Sequence, residues 1–227
     1  HADLQAAVLA VLGQRGAWLA AQNPDWTYAL NTDDESIWQM GTRAARVALL
    51  KRLRERDPQH ALDVLNSTWK EDSPDDRAAF IATLSIGLSL TDEPFLEAAL
   101  DDRRKEVRQI AAQWLTQLPP SRLCKRMIDR TVGLLSIKKQ LLKTQLEVTL
   151  PEACDKAMVR DVLEVKPPQS MGEKAWWLQQ LLAATPLSTW TQRWPLATLI
   201  QAAAKSEWHT PILVGWATAA ERQRDAE

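Results

Sequence analysis

The chain has 227 residues with 28 Lys plus Arg against 29 Asp plus Glu, a formal charge of −1, so no global excess marks it for nucleic acid or an anionic membrane. Only 7 glycines and 2 phenylalanines occur among segments rich in Leu, Ala, Gln, Arg and Glu, a mixture that favours helix and argues against a sheet-dominated fold. Cys124 and Cys154, with no CxxC or Cys/His spacing, make neither a disulfide framework nor a zinc site and fit a reducing, cytoplasmic setting.

In chain order, the start at His1-Ala2 lies just before an apolar-periodic stretch, Leu4 to Leu12, and reads as a piece cut from a longer protein. No run approaches the roughly 20 apolar residues that cross a bilayer, and no signal peptide is visible. Asn23 to Asp34 reads as a loop, and a helix is expected over Trp38 to Glu55. Asp57-Pro58 opens a helix carrying Ala61, Leu62, Leu65 and Trp69, and Ser73-Pro74 opens another carrying Phe80, Ile81, Leu84 and Leu88. Asp92-Glu93-Pro94 starts a short helix with Phe95, Leu96, Ala99 and Leu100 on one side, and Asp101-Asp102 makes the turn out of it.

The clearest block is Arg103 to Leu118, where Val107, Ile110, Ala111, Trp114, Leu115 and Leu118 fall on one helical face before Pro119-Pro120 stops the helix. Trp114, at the centre of that stripe, is expected to be buried core. Further helices are expected over Ser121 to Leu134, Ile137 to Val148, Cys154 to Val165, Glu173 to Ala184, Pro195 to Lys205 and Pro211 to Arg224. Lys166 to Met171, with Pro167-Pro168, reads as a loop and a weak subdomain boundary. Aligning Ile110-Ala111-Ala112 with Phe80-Ile81-Ala82 gives an offset of about 30 residues, a period at which helical hairpins stack to bury their apolar faces. The expected fold is all-α, a single array over residues 1–227 of the α-α superhelix or helical-hairpin solenoid kind.

The run Asp102-Arg103-Arg104-Lys105-Glu106-Val107-Arg108 followed by Ile110-Ala111-Ala112 resembles the HEAT consensus. That resemblance implies that Asp102 and Arg108 bond structurally between adjacent repeats. The stretches Arg15 to Trp26, Leu100 to Arg108, and Leu118-Pro119-Pro120-Ser121 with Arg126-Met127 resemble a bacterial family of HEAT-like proteins. Its genes lie near MoxR-type AAA+ ATPases, von Willebrand factor A proteins and SWIM zinc-finger proteins. The likeness implies a partner-binding role beside an ATPase system and identifies no catalytic residue.

The sequence holds no Walker-type phosphate loop, no GxGxxG, no HExxH and no GxSxG, and no metal or cofactor is expected. His1, His60 and His209 are far apart, each without an acidic or thiol partner at ligand spacing. Asp101-Asp102 reads as helix capping rather than as an acid/base pair, because adjacent residues point in different directions. Six of the eleven tryptophans crowd the last quarter; Trp177 reads as core, while Trp176 and Trp190 are candidate exposed anchors.

Charge distribution carries the most functional content. Between Asp101 and Gln145 stand 11 basic and 4 acidic residues, a basic middle inside a neutral chain. Arg103, Arg104, Lys105, Arg122, Lys125 and Arg126 are the candidate partner-binding cations, on a ridge suited to an acidic surface or phosphate. Two functions follow as expectations: a non-catalytic protein–protein adaptor, whose partner in the ATPase setting is an AAA+ protein, and, as the alternative, a HEAT-like DNA glycosylase or other DNA-binding protein.

Overall fold

The computed structural model describes residues 36–140, 143–168 and 170–223, together with Arg15, Trp18 and Gln22; the expected helix over Leu4 to Leu12 and loop over Asn23 to Asp34 lie outside them. The chain divides into two compact units, His1–Asp92 and Glu93–Glu227. The described residues are mostly helical, with one two-stranded sheet.

In the first unit, α1 (Ser36–Met40) and α2 (Arg43–Arg56) replace the single expected helix. Gly41 closes the first, and the Thr42 hydroxyl restarts the second by accepting from the Ala45 amide. Asp57 caps α3 (Pro58–Thr68) and Ser73 caps α4 (Pro74–Ile81), each with proline in the first turn, as the sequence pattern requires. Buried Trp38 packs on Phe80 at 5.0 Å, and the Arg46 guanidinium lies 4.0 Å over the Trp38 ring while pairing with Asp72.

Helix α4 does not run on to Leu88: it gives way to a 3-10 turn over Ala82–Ser85 and to Gly87 at φ +61°. Arg54, only 2 % exposed, causes this by gathering the loop around itself. It donates to the carbonyls of Ile86, Gly87 and Pro58 and forms a two-pronged pair with Asp92 at 2.7 and 2.9 Å. A Cβ at Gly87 would meet Pro58 and the Arg54 carbonyl, so the left-handed turn under that arginine takes glycine.

The second unit begins with α5 (Glu93–Ala99) and α6 (Lys105–Thr116). Val107, Ala111 and Leu115 are buried, but Trp114 and Ile110 are only half-buried. The apolar stripe is therefore rotated from the expected centre, and Trp114 lies at its edge, facing a cleft described below. Ser121 joins α6 to α7 (Arg122–Thr131): its hydroxyl donates to the Leu115 carbonyl and accepts from the Cys124 amide.

The expected helix over Ile137 to Val148 is instead an antiparallel pair, β1 (Leu135–Gln140) and β2 (Lys143–Val148), with Leu135 opposite Val148 and Ile137 opposite Leu146. These four share one face and pack on Leu178, Leu182, Trp190, Leu199 and Ile212. The other face carries exposed Ser136, Lys138 and Gln145. Alternation of period two wins over helix propensity here because it buries a whole apolar face against a tryptophan-rich core.

Of the expected helix over Cys154 to Val165, only α8 (Lys156–Arg160) forms. Beyond it come α9 (Glu173–Ala184), a short α10 (Ser188–Thr191), α11 (Leu196–Ala204) and α12 (His209–Gln223). Trp190, expected as an exposed anchor, is 1 % exposed and sits 6.4 Å from Trp216 in this core. The position fails as a docking anchor because the hairpin and three helices enclose it; Trp194, Trp208 and Trp216 line the same core from its edge.

Helices α9 and α12 touch at backbone level. A Cβ on Gly215 would stand 2.9 Å from both the Gln179 carbonyl oxygen and the Leu182 Cβ. In an open helix Gly→Ala gains about 1 kcal/mol. Here Gly215→Ala should instead destabilise by about 1–3 kcal/mol, as overpacking does, read as a lower urea midpoint at unchanged slope. A raised midpoint would show the two helices free to part.

Candidate functional site

A cleft of about 790 Å³ lies within the second unit. Helix α6 lines it with Gln109, Gln113 and Trp114, and with Gln117 just past its end, α9 with Trp176, Gln179 and Gln180, and α12 with Thr218, Glu221 and Arg222. The segment from Asp161 to Glu164 forms the remaining wall.

That segment is a strap held at several points. Asp161, its side chain 1 % exposed, accepts from Arg126 through Nε and Nη2 and from Arg130 through Nη1. Arg126 also reaches Glu97 on α5, while Arg160 forks onto Asp101 with two bonds of 2.8 Å. Burial opposes the Arg126 charge, yet its bonds to Asp161 and Glu97 override burial and raise its pKa further; the Arg160 fork holds the Asp101 carboxyl below the usual carboxylate range. Downstream, the Gln180 amide pairs with both backbone groups of Glu164, and the Trp177 indole donates to the Val165 carbonyl.

Between these anchors Val162 has φ +68°, in the left-handed region. The Val162 amide donates to Val159 and the Leu163 amide to Met158, the double closure that ends many helices with glycine at this place. A β-branched residue there is strained by about 1–3 kcal/mol. The ion pairs on Asp161 and the burial of Leu163 hold the chain in it.

Several cleft groups are left without partners. Trp176 Nε1 and Gln179 Oε1 are buried with no hydrogen bond. Arg222 has no acidic partner within ion-pair distance among the described residues, and burial lowers its pKa. Such groups mark places where a ligand can supply what the protein lacks.

The candidates from the sequence fall in different places. Trp176 lines the cleft, whereas Trp190 does not. Arg122 bonds Glu93, Arg126 is bound to Asp161 and Glu97, Lys105 pairs with Glu164 at 2.6 Å, and Arg104 lies 3.7 Å from Glu106. Arg103 and Lys125 are exposed and show no ion pair among the described residues. Arg108 donates to the carbonyls of Asp102 and Arg103, and the Asp102 carboxylate accepts from the Arg104 amide, so both fasten the turn before α6. Much of the basic middle therefore answers acids on the same unit.

His60 is half-buried on α3, and His209 is exposed with Nδ1 3.2 Å from the Ser206 carbonyl. No group of three His, Cys, Asp or Glu among the described residues could hold a metal ion. Sequence reasoning missed Gln109, Gln113 and Gln117, although their spacing of four residues places them on one polar face of α6. Arg222 gave no local signal, since its neighbours in space are remote in sequence.

Asp161→Asn should lower stability by about 3 kcal/mol, the lower end of the range for breaking a buried pair, because Arg126 and Arg130 keep some solvent. Urea denaturation checks this; a loss under 1 kcal/mol would make the pairs incidental. Val162→Gly should raise stability by about 1 kcal/mol, the relieved strain exceeding the added chain entropy of glycine. A lower melting temperature would show that Val162 packing outweighs the strain.

The sequence profile of a family of unknown function, DUF5691, matches residues 1–227, and the chain belongs to that family. No curated protein and no solved structure matches it.

Proposed function

For this member of a family of unknown function, we propose a non-catalytic interaction module, an adaptor that takes a segment of a protein partner into the cleft of its second unit. The observation that carries this reading is the cleft itself, with unpaired Trp176 Nε1 and Gln179 Oε1 in walls of glutamine amides and two tryptophans. Amides and indoles read main-chain and side-chain polar groups while offering flat apolar contact. Of the acids in the cleft wall, Asp161 is engaged by two arginines and Glu164 by Lys105 and Gln109, while Glu221 is exposed at the helix end. Helix pairs α2 with α3 and α5 with α6, each packed together across a short turn, support helical-hairpin repeats of the HEAT type.

The likeness to HEAT-like proteins encoded beside MoxR-type ATPases makes an AAA+ protein the first partner to seek. A cytoplasmic setting belongs to the same proposal and rests on the free thiols of Cys124 and Cys154. No described helix is long and apolar enough to cross a membrane. Nothing observed favours the DNA reading, since so many cations of the basic middle are paired within the unit.

The test is affinity capture with the full chain, partners identified by mass spectrometry. Wild type should recover an ATPase, and a Gln113→Phe/Thr218→Phe variant that fills the cleft should lose it while melting within about 2 °C of wild type. If the filled variant captures the ATPase undiminished and Arg103→Glu/Lys125→Glu does not, the exposed cations and not the cleft form the interface.

A further inference from the structure

We propose that the cleft takes its ligand by a carboxylate, with Arg222 as the ionic partner and the Trp176 indole N–H as a second donor. This rests on the reading of the cleft as a site for a protein segment and adds the chemistry that such a segment must carry.

The argument starts from how arginines are used in this unit. Arg126, Arg130 and Arg160 each meet at least one carboxylate, and Arg122 meets Glu93. Arg222, on the last turn of α12, is half-buried with no ion pair among the described residues; Arg103, Arg108 and Arg193 also meet no carboxylate, but of these four only Arg222 lines the cleft. Its neighbour Glu221 also lines the cleft, but consecutive helical residues diverge by about 100°, and the two do not pair. A guanidinium that has lost part of its water with no ion pair among the described residues is destabilised, and burial pulls its pKa down against the weaker Coulombic pull of Glu221.

Trp176 Nε1, buried without an acceptor, adds a donor with no other function in the wall. A carboxylate satisfies this set: it is acceptor-only, it matches the guanidinium fork, and it has lone pairs left for an indole and for amides. Gln179, whose amide can present either end, suits the same group or the main chain beside it. The site's own acids do not forbid it, since Asp161 and Glu164 are already countered by Arg126, Arg130 and Lys105. A phosphate dianion fits worse, because a single unpaired cation beside Glu221 cannot balance two negative charges. The volume, about 790 Å³, is far beyond one carboxylate and suits several residues of peptide around an acidic side chain.

The experiment follows the indole N–H resonance of Trp176, assigned by Trp176→Phe, in the full chain. Three probes are titrated: the acetylated and amidated peptide Ala-Ala-Glu-Ala-Ala, its Gln counterpart, and glutarate. The Glu peptide should move the resonance and bind at least about tenfold tighter than the Gln peptide, with glutarate weaker than the Glu peptide. In Arg222→Gln, a change at a half-exposed helix end that should leave the melting temperature unaltered, the preference for Glu over Gln should vanish. Equal binding of the two peptides to wild type, a preference that survives Arg222→Gln, or no shift with either carboxylate at millimolar concentration would overturn the proposal. Glutarate binding as tightly as the Glu peptide would support the carboxylate while making a small metabolite its source. ATPase capture that depends on the cleft, together with silent carboxylate probes, would reject this inference alone; capture indifferent to filling the cleft would reject the reading beneath it.

Discussion

The carboxylate of Asp161 has surrendered almost all its contact with water, and that is tolerable only because Arg126 and Arg130 deliver three guanidinium nitrogens to it. Dehydrating a carboxylate costs several kcal/mol, repaid only when geometry is good and the remaining lone pairs are met. The arrangement therefore constrains everything attached to it. Helix α5 is drawn in through Glu97, α7 supplies both arginines, and the turn after α8 is forced through a left-handed valine. The same turn becomes one wall of the cleft, so the buried carboxylate and the cleft share a residue.

How much of this could be read in the sequence depends on the range of the interaction responsible. Helices α3, α4 and α7 were legible because Asp57, Ser73 and Ser121 act on amides three residues away. Glu173 to Ala184 was legible for a different reason, a run of good helix formers interrupted only by Trp176 and Trp177. The hairpin was not, although Leu135-Ser136-Ile137-Lys138 and Gln145-Leu146-Glu147-Val148 alternate: Lys, Gln and Leu also suit a helix, and only burial against residues more than thirty positions away decides the matter. The short α8 was illegible because Asp161 answers arginines on another helix.

The candidate site divides along the same line. Trp176 was legible as an aromatic outside its own helix's apolar face, and the glutamine spacing on α6 was present though unused. Trp190 and Trp114 were misjudged in opposite directions, one enclosed by the hairpin core and the other turned to the cleft edge by a small rotation of α6. The basic middle looked like a ridge because its acidic partners, Glu93, Glu97, Asp161 and Glu164, lie outside the window in which the cations were counted. A local charge excess in a folded chain is often half of an ion-pair set whose other half arrives by folding.

The backbone approach of α9 to α12 at Gly215 bears on how the cleft meets whatever enters it. Gln179, whose carbonyl lies against that glycine, belongs to the same turn as Trp176 and Gln180, while Thr218 and Arg222 follow Gly215 along α12. At that point two sides of the cleft meet directly, with no side chain on Gly215 to compress or slide. A guest that spreads those helices must break that contact. One that leaves it intact must match a spacing already set, so that much of the entropy of shaping the receptor is lost in folding rather than at the encounter.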